Sequence, residues 1–495
     1  MGKKKITLVG LILMVFTTIY GFANTTVAYD QMGYASIIWY VLAALFFMLP
    51  SSLMFAEYGS AFKDAHGGIY SWLAESIGER LAFIGTFIWL SSWIIWMVST
   101  ASKVWVPFST IFAGHDATPT WSVMGLSSTQ VIGVLGILWI IFITWSASRG
   151  MDMIAKLSSV GGIFVSLLTI IFVIASLIVW FANGGQLAQP IHGISSFIHS
   201  PNPEFQSPIA FISFVVYAIF AYAGAESLGG VTDSLDKPEK TFPKGLIFST
   251  VAITIAYSVS IFLWGVSTNW HQVLSGDQVN LGNITYVLMN NLGVSLANSL
   301  NLSASTANLI GALFARFAGL GMFIAYLGSF SVLIYSPLKS FIMGSNPKFW
   351  PKKMTKLNGK EMPSYAMWTQ AAIVCVLIFL IAFGGSTAQQ FYMILTDMSN
   401  VSTSFPYLFL IGAFPFFKKR TDLEYSFHVY NNKTLTNIIV AIVLIVLVGG
   451  IGFTCAYPII THDYVTAFWT IIGPVFFGAI AWAFLSYQTH KQAND

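Results

Sequence analysis

The sequence predicts an all-α membrane protein of twelve transmembrane helices. Composition is the first reason. Of 495 residues, 56% are hydrophobic and only 8% charged, against roughly 25% charged in an ordinary soluble domain. Such a chain cannot coat itself for water, and a lipid bilayer is the solvent it suits. The second reason is twelve apolar runs, each near the ~20 residues that cross a bilayer. The third is charge placement. With the N-terminus in the cytoplasm, 21 of the 23 basic residues, from Lys3 to Lys491, fall on inner segments. The other two, Lys103 and Arg316, lie inside spans. Adding or dropping one span would scramble this positive-inside pattern, so an even number of spans with both termini cytoplasmic is expected.

The runs lie near residues 6–29, 34–57, 81–108, 128–147, 157–182, 207–232, 245–269, 306–340, 365–383, 390–417, 434–457 and 466–487. The first follows Met-Gly-Lys-Lys-Lys and breaks at Gly21. It has no small-residue cleavage site, so it reads as an uncleaved helix rather than a signal peptide. Ile6 breaks the myristoylation pattern. The second ends at Glu57, whose expected partners are Lys63 or Arg80. Asp30, just before it, is expected to be solvated. The third carries Lys103 in its outer part and the eighth carries Arg316. The tenth has Asp397 near its start. The connections are short and leave no room for a soluble ATPase or receptor module.

Several functions are excluded. No basic patch is interleaved with aromatics in the manner of a nucleic-acid surface. There is no P-loop, HExxH or GxSxG, so an enzyme is not expected. Cys375 and Cys455 sit in apolar runs without a CxxC or Cys/His cluster, so neither a metal nor a cofactor is expected. His115, His192, His199, His271 and His462 fall on outer segments, where solvated histidines are common.

Spans one and six differ from the rest. Span one contains Thr17-Thr18-Ile19-Tyr20-Gly21-Phe22-Ala23-Asn24, and span six contains Phe220-Ala221-Tyr222-Ala223-Gly224-Ala225-Glu226-Ser227-Leu228-Gly229-Gly230. Both place glycine and polar residues near mid-membrane, five spans apart. Broken helices at matching places in two halves point to a secondary transporter whose site lies at a repeat interface. Glycines that merely let helices approach are the competing explanation.

Span two ends in Ala56-Glu57-Tyr58-Gly59-Ser60-Ala61-Phe62, followed by Gly67-Gly68-Ile69-Tyr70-Ser71-Trp72. Span six is followed by Asp236-Lys237-Pro238-Glu239-Lys240-Thr241-Phe242-Pro243. In this order, across essentially the whole chain, the sequence resembles the amino acid–polyamine–organocation (APC) superfamily of transporters. Ile154-Ala155-Lys156 and Arg316 are similar to its glutamate/γ-aminobutyrate antiporter branch. The resemblance implies a LeuT-like five-plus-five inverted repeat: residues 1–182 as the first repeat, 183–417 as the second, and 418–495 as two added spans with a short tail. It also implies a multi-pass protein of the bacterial cytoplasmic membrane, acting as an exchanger or proton-coupled symporter. The departures are Tyr20-Gly21-Phe22 in place of a Gly-Ser-Gly pattern, no lysine at Gly161–Val165, and no long C-terminal plug.

An α-amino acid between spans one and six would set its carboxylate at a helix N-terminus, where N–H groups are free. Gly21, Phe22 and Ala23 are the candidates, flanked by Thr18 and Tyr20. Carbonyls near Ala221 and Tyr222 would take the ammonium, with Phe220 and Tyr222 closing over it and Gly224 making the second break. Glu226, Lys103 and Arg316 are candidates for coupling or charge recognition, since ionisable groups within spans are functional by default. A polyamine or other organic cation is an alternative cargo. A channel or a transporter-derived sensor is the alternative of another class.

Overall fold

The computed structural model describes residues 7–62, 68–226, 236–385, 387–423 and 427–494. Lys3, Lys4, Lys5, Lys63, Gly67 and the Ser227–Gly230 end of span six lie outside them. The described residues form helices in this order: α1 (Leu8–Ile19), α2 (Phe22–Met32), α3 (Ala35–Ala43), α4 (Leu49–Ala61), α5 (Ile69–Ile77), α6 (Glu79–Lys103), α7 (Trp105–Ala113), α8 (Ser128–Ala147), α9 (Met151–Ala182), α10 (Ser195–Ile198) and α11 (Pro208–Tyr222). They continue as α12 (Pro238–Ser267), α13 (Trp270–Val273), α14 (Ile284–Ser299), α15 (Ala304–Leu333), α16 (Ser336–Gly344), α17 (Ser364–Ala382), α18 (Ala388–Ser404), α19 (Pro406–Phe417), α20 (Lys433–Ile460) and α21 (Tyr464–Asn494). No β-strand is formed among the described residues.

Nine helical stretches among them are long and apolar enough to cross a membrane: 35–61, 79–113, 128–147, 159–182, 240–267, 304–344, 364–382, 433–460 and 464–487. They match expected spans two to five, seven to nine, eleven and twelve. Expected spans one, six and ten are built from shorter pieces: α1 with α2, α11, and α18 with α19.

Proline explains most interruptions. It lacks the helical N–H and crowds the carbonyl four residues earlier. Pro50 follows a π-helical turn at Ala44–Met48, Pro107 follows the α6–α7 junction at Val104, Pro337 follows Ile334 and Tyr335, and Pro406 follows Phe405. The breaks at Tyr20–Gly21 and at Ala223–Gly224 have no such proline.

α1, α3, α4 and α9 pack on α12, and α11 packs on α20, α18 and α3; α15 packs on α9, α14 and α7, and α17 packs on α8. α6 lies against α18 and α21. On α9, Ile163, Leu167, Ile170, Ile174, Ile178 and Phe181 are exposed at helical spacings of three and four. That is one uncovered apolar stripe, which only a non-aqueous neighbour leaves without cost. On its other side Gly161 sets α9 close to α15: a Cβ there would stand 3.1 Å from the Ile324 carbonyl.

Three expectations change. Asp30 is half-buried rather than solvated, and its carbonyl accepts from Trp270 Nε1 (2.7 Å) and Asn202 Nδ2 (3.3 Å). Asp397 lies in the middle of α18 rather than near the start of one long helix, because span ten is divided at Phe405 and α18 ends at Ser404. Glu57 is fully buried: one carboxylate oxygen meets Lys418 Nζ at 2.7 Å and the other accepts from the amides of Val429 and Tyr430, both at 2.8 Å. It thereby holds the loop before α20 against α4.

Candidate functional site

The two breaks meet at one hydroxyl. Tyr20 and Gly21 are extended, at φ −67° ψ 110° and φ −105° ψ 118°, so α1 stops and α2 starts afresh. A Cβ at Gly21 would lie 2.7 Å from Asn24 Nδ2, so that side chain would have to swing aside. The Gly21 N–H donates to Tyr257 Oη of α12 at 3.1 Å. The N–H groups of Phe22 and Ala23 have no partner among the described residues, and no side chain caps α2. A helix N-terminus left this way presents donors and the positive end of the helix dipole.

The second break follows α11. Ala223 is extended, and Gly224 has φ +121°, a conformation that strains any residue with a Cβ. A Cβ on Gly224 would stand 3.4 Å from Thr18 Cγ2, so the two breaks abut. The Ala221 carbonyl, expected to be free, instead accepts from Tyr257 Oη at 2.9 Å. Around it Tyr20, Tyr40 and Tyr222 pack on the Tyr257 ring with centroids 5.1, 4.6 and 5.6 Å away. Tyr20 Oη pairs with Ser260 Oγ at 2.8 Å, and Tyr222 Oη donates to the Tyr40 carbonyl at 3.2 Å. Tyr222 is therefore locked in this cluster, whereas Phe220 remains half-buried. Thr18 is exposed and its hydroxyl donates back to the Met14 carbonyl.

Glu226 is buried beside the second break. Its Oε2 accepts from Tyr407 Oη of α19 (2.5 Å) and from the Gly224 amide (3.0 Å); its Oε1 accepts from Trp89 Nε1 of α6 (3.3 Å). All three donors are neutral. The carboxylate thus ties the end of α11 to α6 and α19.

Lys103 and Arg316 are not brought to the breaks. Lys103 lies fourteen residues beyond Trp89 on α6, about 21 Å at 1.5 Å per residue. Its Nζ donates to Thr396 Oγ1 of α18 at 2.6 Å, with Asp397 next in the chain attracting it. Arg316 donates from Nη2 to the Phe112 carbonyl at 3.1 Å, and its buried Nε has no hydrogen-bond partner. Among the described residues no group of three or more His, Cys, Asp or Glu is arranged to hold a metal.

Sequence reading missed Tyr257, Tyr407 and Trp89. Tyr407 had a local signal, since it follows Pro406 at the end of the polar run Thr396 to Ser404. Tyr257 and Trp89 had none: each is one aromatic among many in an apolar helix.

The amino acid permease family model matches residues 6–486. The inner membrane transporter YjeM of Salmonella typhimurium is 50% identical over 493 residues, covering 99% of this chain and 98% of that protein; YjeM of Escherichia coli has the same identity and coverage. More distantly, the aspartate/glutamate permease AcaP of Lactococcus lactis is 21% identical over 434 residues, 86% of this chain and 83% of its own length.

Proposed function

The chain belongs to the amino acid permease family, and from that premise we propose that it moves an amino acid across the bacterial cytoplasmic membrane as a secondary transporter working by alternating access. The observation that carries the reading is the pair of N–H groups of Phe22 and Ala23 at the start of α2, which have no partner among the described residues, beside the break at Gly224. A carboxylate suits the first place, and the carbonyls at the C-terminal end of α11 suit an ammonium. On this reading Thr18, Tyr20, Gly21, Phe220, Ala221, Tyr222 and Gly224 shape the site.

The three broken stretches complete twelve spans with both termini inside. The order of elements supports an inverted repeat. Each proposed half opens on a broken span. Each has a helix lying after its second span, α5 in one and α14 in the other. Each has an over-long third span, 79–113 in one and 304–344 in the other. Residues 1–182 and 183–417 are the proposed halves, with 418–495 appended.

Rocking one half against the other requires the Glu226 bond to Trp89 of α6 to break and reform, which makes Glu226 the coupling candidate for a proton or for exchange. Lys103 and Arg316, away from the breaks, are assigned to the scaffold around the site.

The test is thermal stabilisation of the purified protein by a panel of amino acids, since a ligand that binds the folded state raises its melting point. Uptake of the stabilising compound into proteoliposomes then follows. Stabilisation by amines lacking a carboxylate, and by no amino acid, would overturn the reading.

A further inference from the structure

Three helix ends created by the breaks converge on Tyr257. Its hydroxyl accepts from Gly21 N and from Asn24 Nδ2 (3.3 Å), and it stands 3.0 Å from the Ile19 carbonyl and 2.9 Å from the Ala221 carbonyl. Ile19 is the end of α1, Gly21 the start of α2, and Ala221 lies in the last turn of α11. Helix ends leave N–H and C=O groups without partners, and a side chain must cap those that are buried. Here one side chain from a fourth helix caps all three.

A phenol hydroxyl has one proton and two acceptor positions. Gly21 and Asn24 fill the acceptor positions. The single proton faces two carbonyls and bonds one at a time, either the end of α1 or the end of α11. The ring cannot drift away from this junction, because Tyr20, Tyr40 and Tyr222 enclose it.

We propose that Tyr257 is a positioning residue that fastens the two broken helices to each other, and that its proton passes between the Ile19 and Ala221 carbonyls as the breaks shift during the transport cycle. This rests on the proposed transport reading. It leaves the Phe22 and Ala23 N–H groups to the substrate, so Tyr257 governs the conformational step rather than affinity.

The experiment compares wild type, Tyr257→Phe, Asn24→Ala and Tyr34→Phe in proteoliposomes, using the amino acid that stabilises the wild type. Tyr34→Phe removes the hydroxyl of another buried tyrosine, bonded to the Gln189 carbonyl at 2.9 Å, whose ring packs on Tyr29, Phe197 and Phe262 rather than on either break. The Tyr257 variant is expected to lose about tenfold or more in kcat with KM changed less than about threefold. Asn24→Ala, which empties one acceptor position and keeps the ring, is expected to fall between it and wild type. Tyr34→Phe is expected to keep wild-type kcat. Hydrogen exchange of peptides covering residues 19–25 should quicken in Tyr257→Phe without any substrate present. A raised KM with kcat retained, an equal kcat loss in Tyr34→Phe, or unchanged exchange at 19–25 would each overturn the proposal. Should no amino acid bind the wild type, the transport reading fails, while the exchange measurement still decides whether Tyr257 fastens the breaks. If Tyr257→Phe does not fold, Asn24→Ala decides it: wild-type kcat and wild-type exchange at 19–25 in that variant would overturn the proposal.

Discussion

Glycine matters to the two breaks in different ways, and the difference is measurable. At Gly224 the backbone itself is left-handed, φ +121°. Gly224→Ala is expected to cost about 1–3 kcal/mol, the strain of a Cβ in that region, read as a lower melting temperature in detergent. At Gly21 the backbone is ordinary, and the obstacle is the end of the Asn24 side chain, which can swing aside. Gly21→Ala is therefore expected to be the milder change. Gly21→Leu fills the approach to the Phe22 and Ala23 N–H groups and is expected to abolish stabilisation by substrate while the protein stays monodisperse. Wild-type transport by that variant would remove the site from this place. Glu226 gives a third residue-scale prediction. It accepts three hydrogen bonds and donates none. Gln offers one acceptor and turns an N–H₂ toward a donor. Glu226→Gln is expected to change the pH dependence of uptake and not only its rate; an unchanged pH profile leaves Glu226 a purely structural tie.

At the scale of elements, the loop between α19 and α20 is docked by charge. Glu57 takes Lys418 and two backbone amides, with Lys418 partly exposed. Removing one member of a buried pair costs about 3–5 kcal/mol when both are dry; here the exposed ammonium keeps some water, so about 2 kcal/mol is expected for Glu57→Gln. Limited proteolysis should then cut within 418–432 faster than in wild type; equal rates would show that the loop is held by other contacts. Nearby, Arg420 hydrogen bonds hold the Asp422 carboxyl down at about 2. That pair stays ionised at any pH used for transport, and because it is exposed it contributes little. The proline breaks and the glycine breaks also differ in kind. Proline interrupts a helix at a position readable from the sequence. The glycine breaks are held open by partners on other helices: Tyr257 at the first, and Tyr407 and Trp89, which bond the adjacent Glu226, at the second.

For the whole molecule, the segregation of 21 of 23 basic residues predicts the orientation. In a background lacking Cys375 and Cys455, a cysteine at position 199 is expected to label from outside and one at 353 only from inside. The reverse pattern would refute the proposed topology. The uncovered stripe on α9 and the similarly exposed Ile438, Ile442, Ile445 and Val448 on α20 are the faces left for lipid.

The sequence by itself determined that the chain is helical and membrane-embedded, where its long apolar stretches lie, and that helix is interrupted at Gly21 and stops before Gly224. Each of those follows from local marks: hydropathy over ~20 residues, the place of lysines, and glycines inside apolar runs. Tertiary structure alone decided what the breaks touch. Gly21 and its partner Tyr257 are 236 residues apart, Glu226 reaches Tyr407 across 181 and Trp89 across 137, and Lys103 finds Thr396 rather than the site. In lipid an apolar pattern does not say which face of a helix meets a neighbour and which meets the bilayer, because tails and packed side chains are alike apolar. Only the assembled bundle decides which of many tyrosines and tryptophans become the partners of the broken backbone.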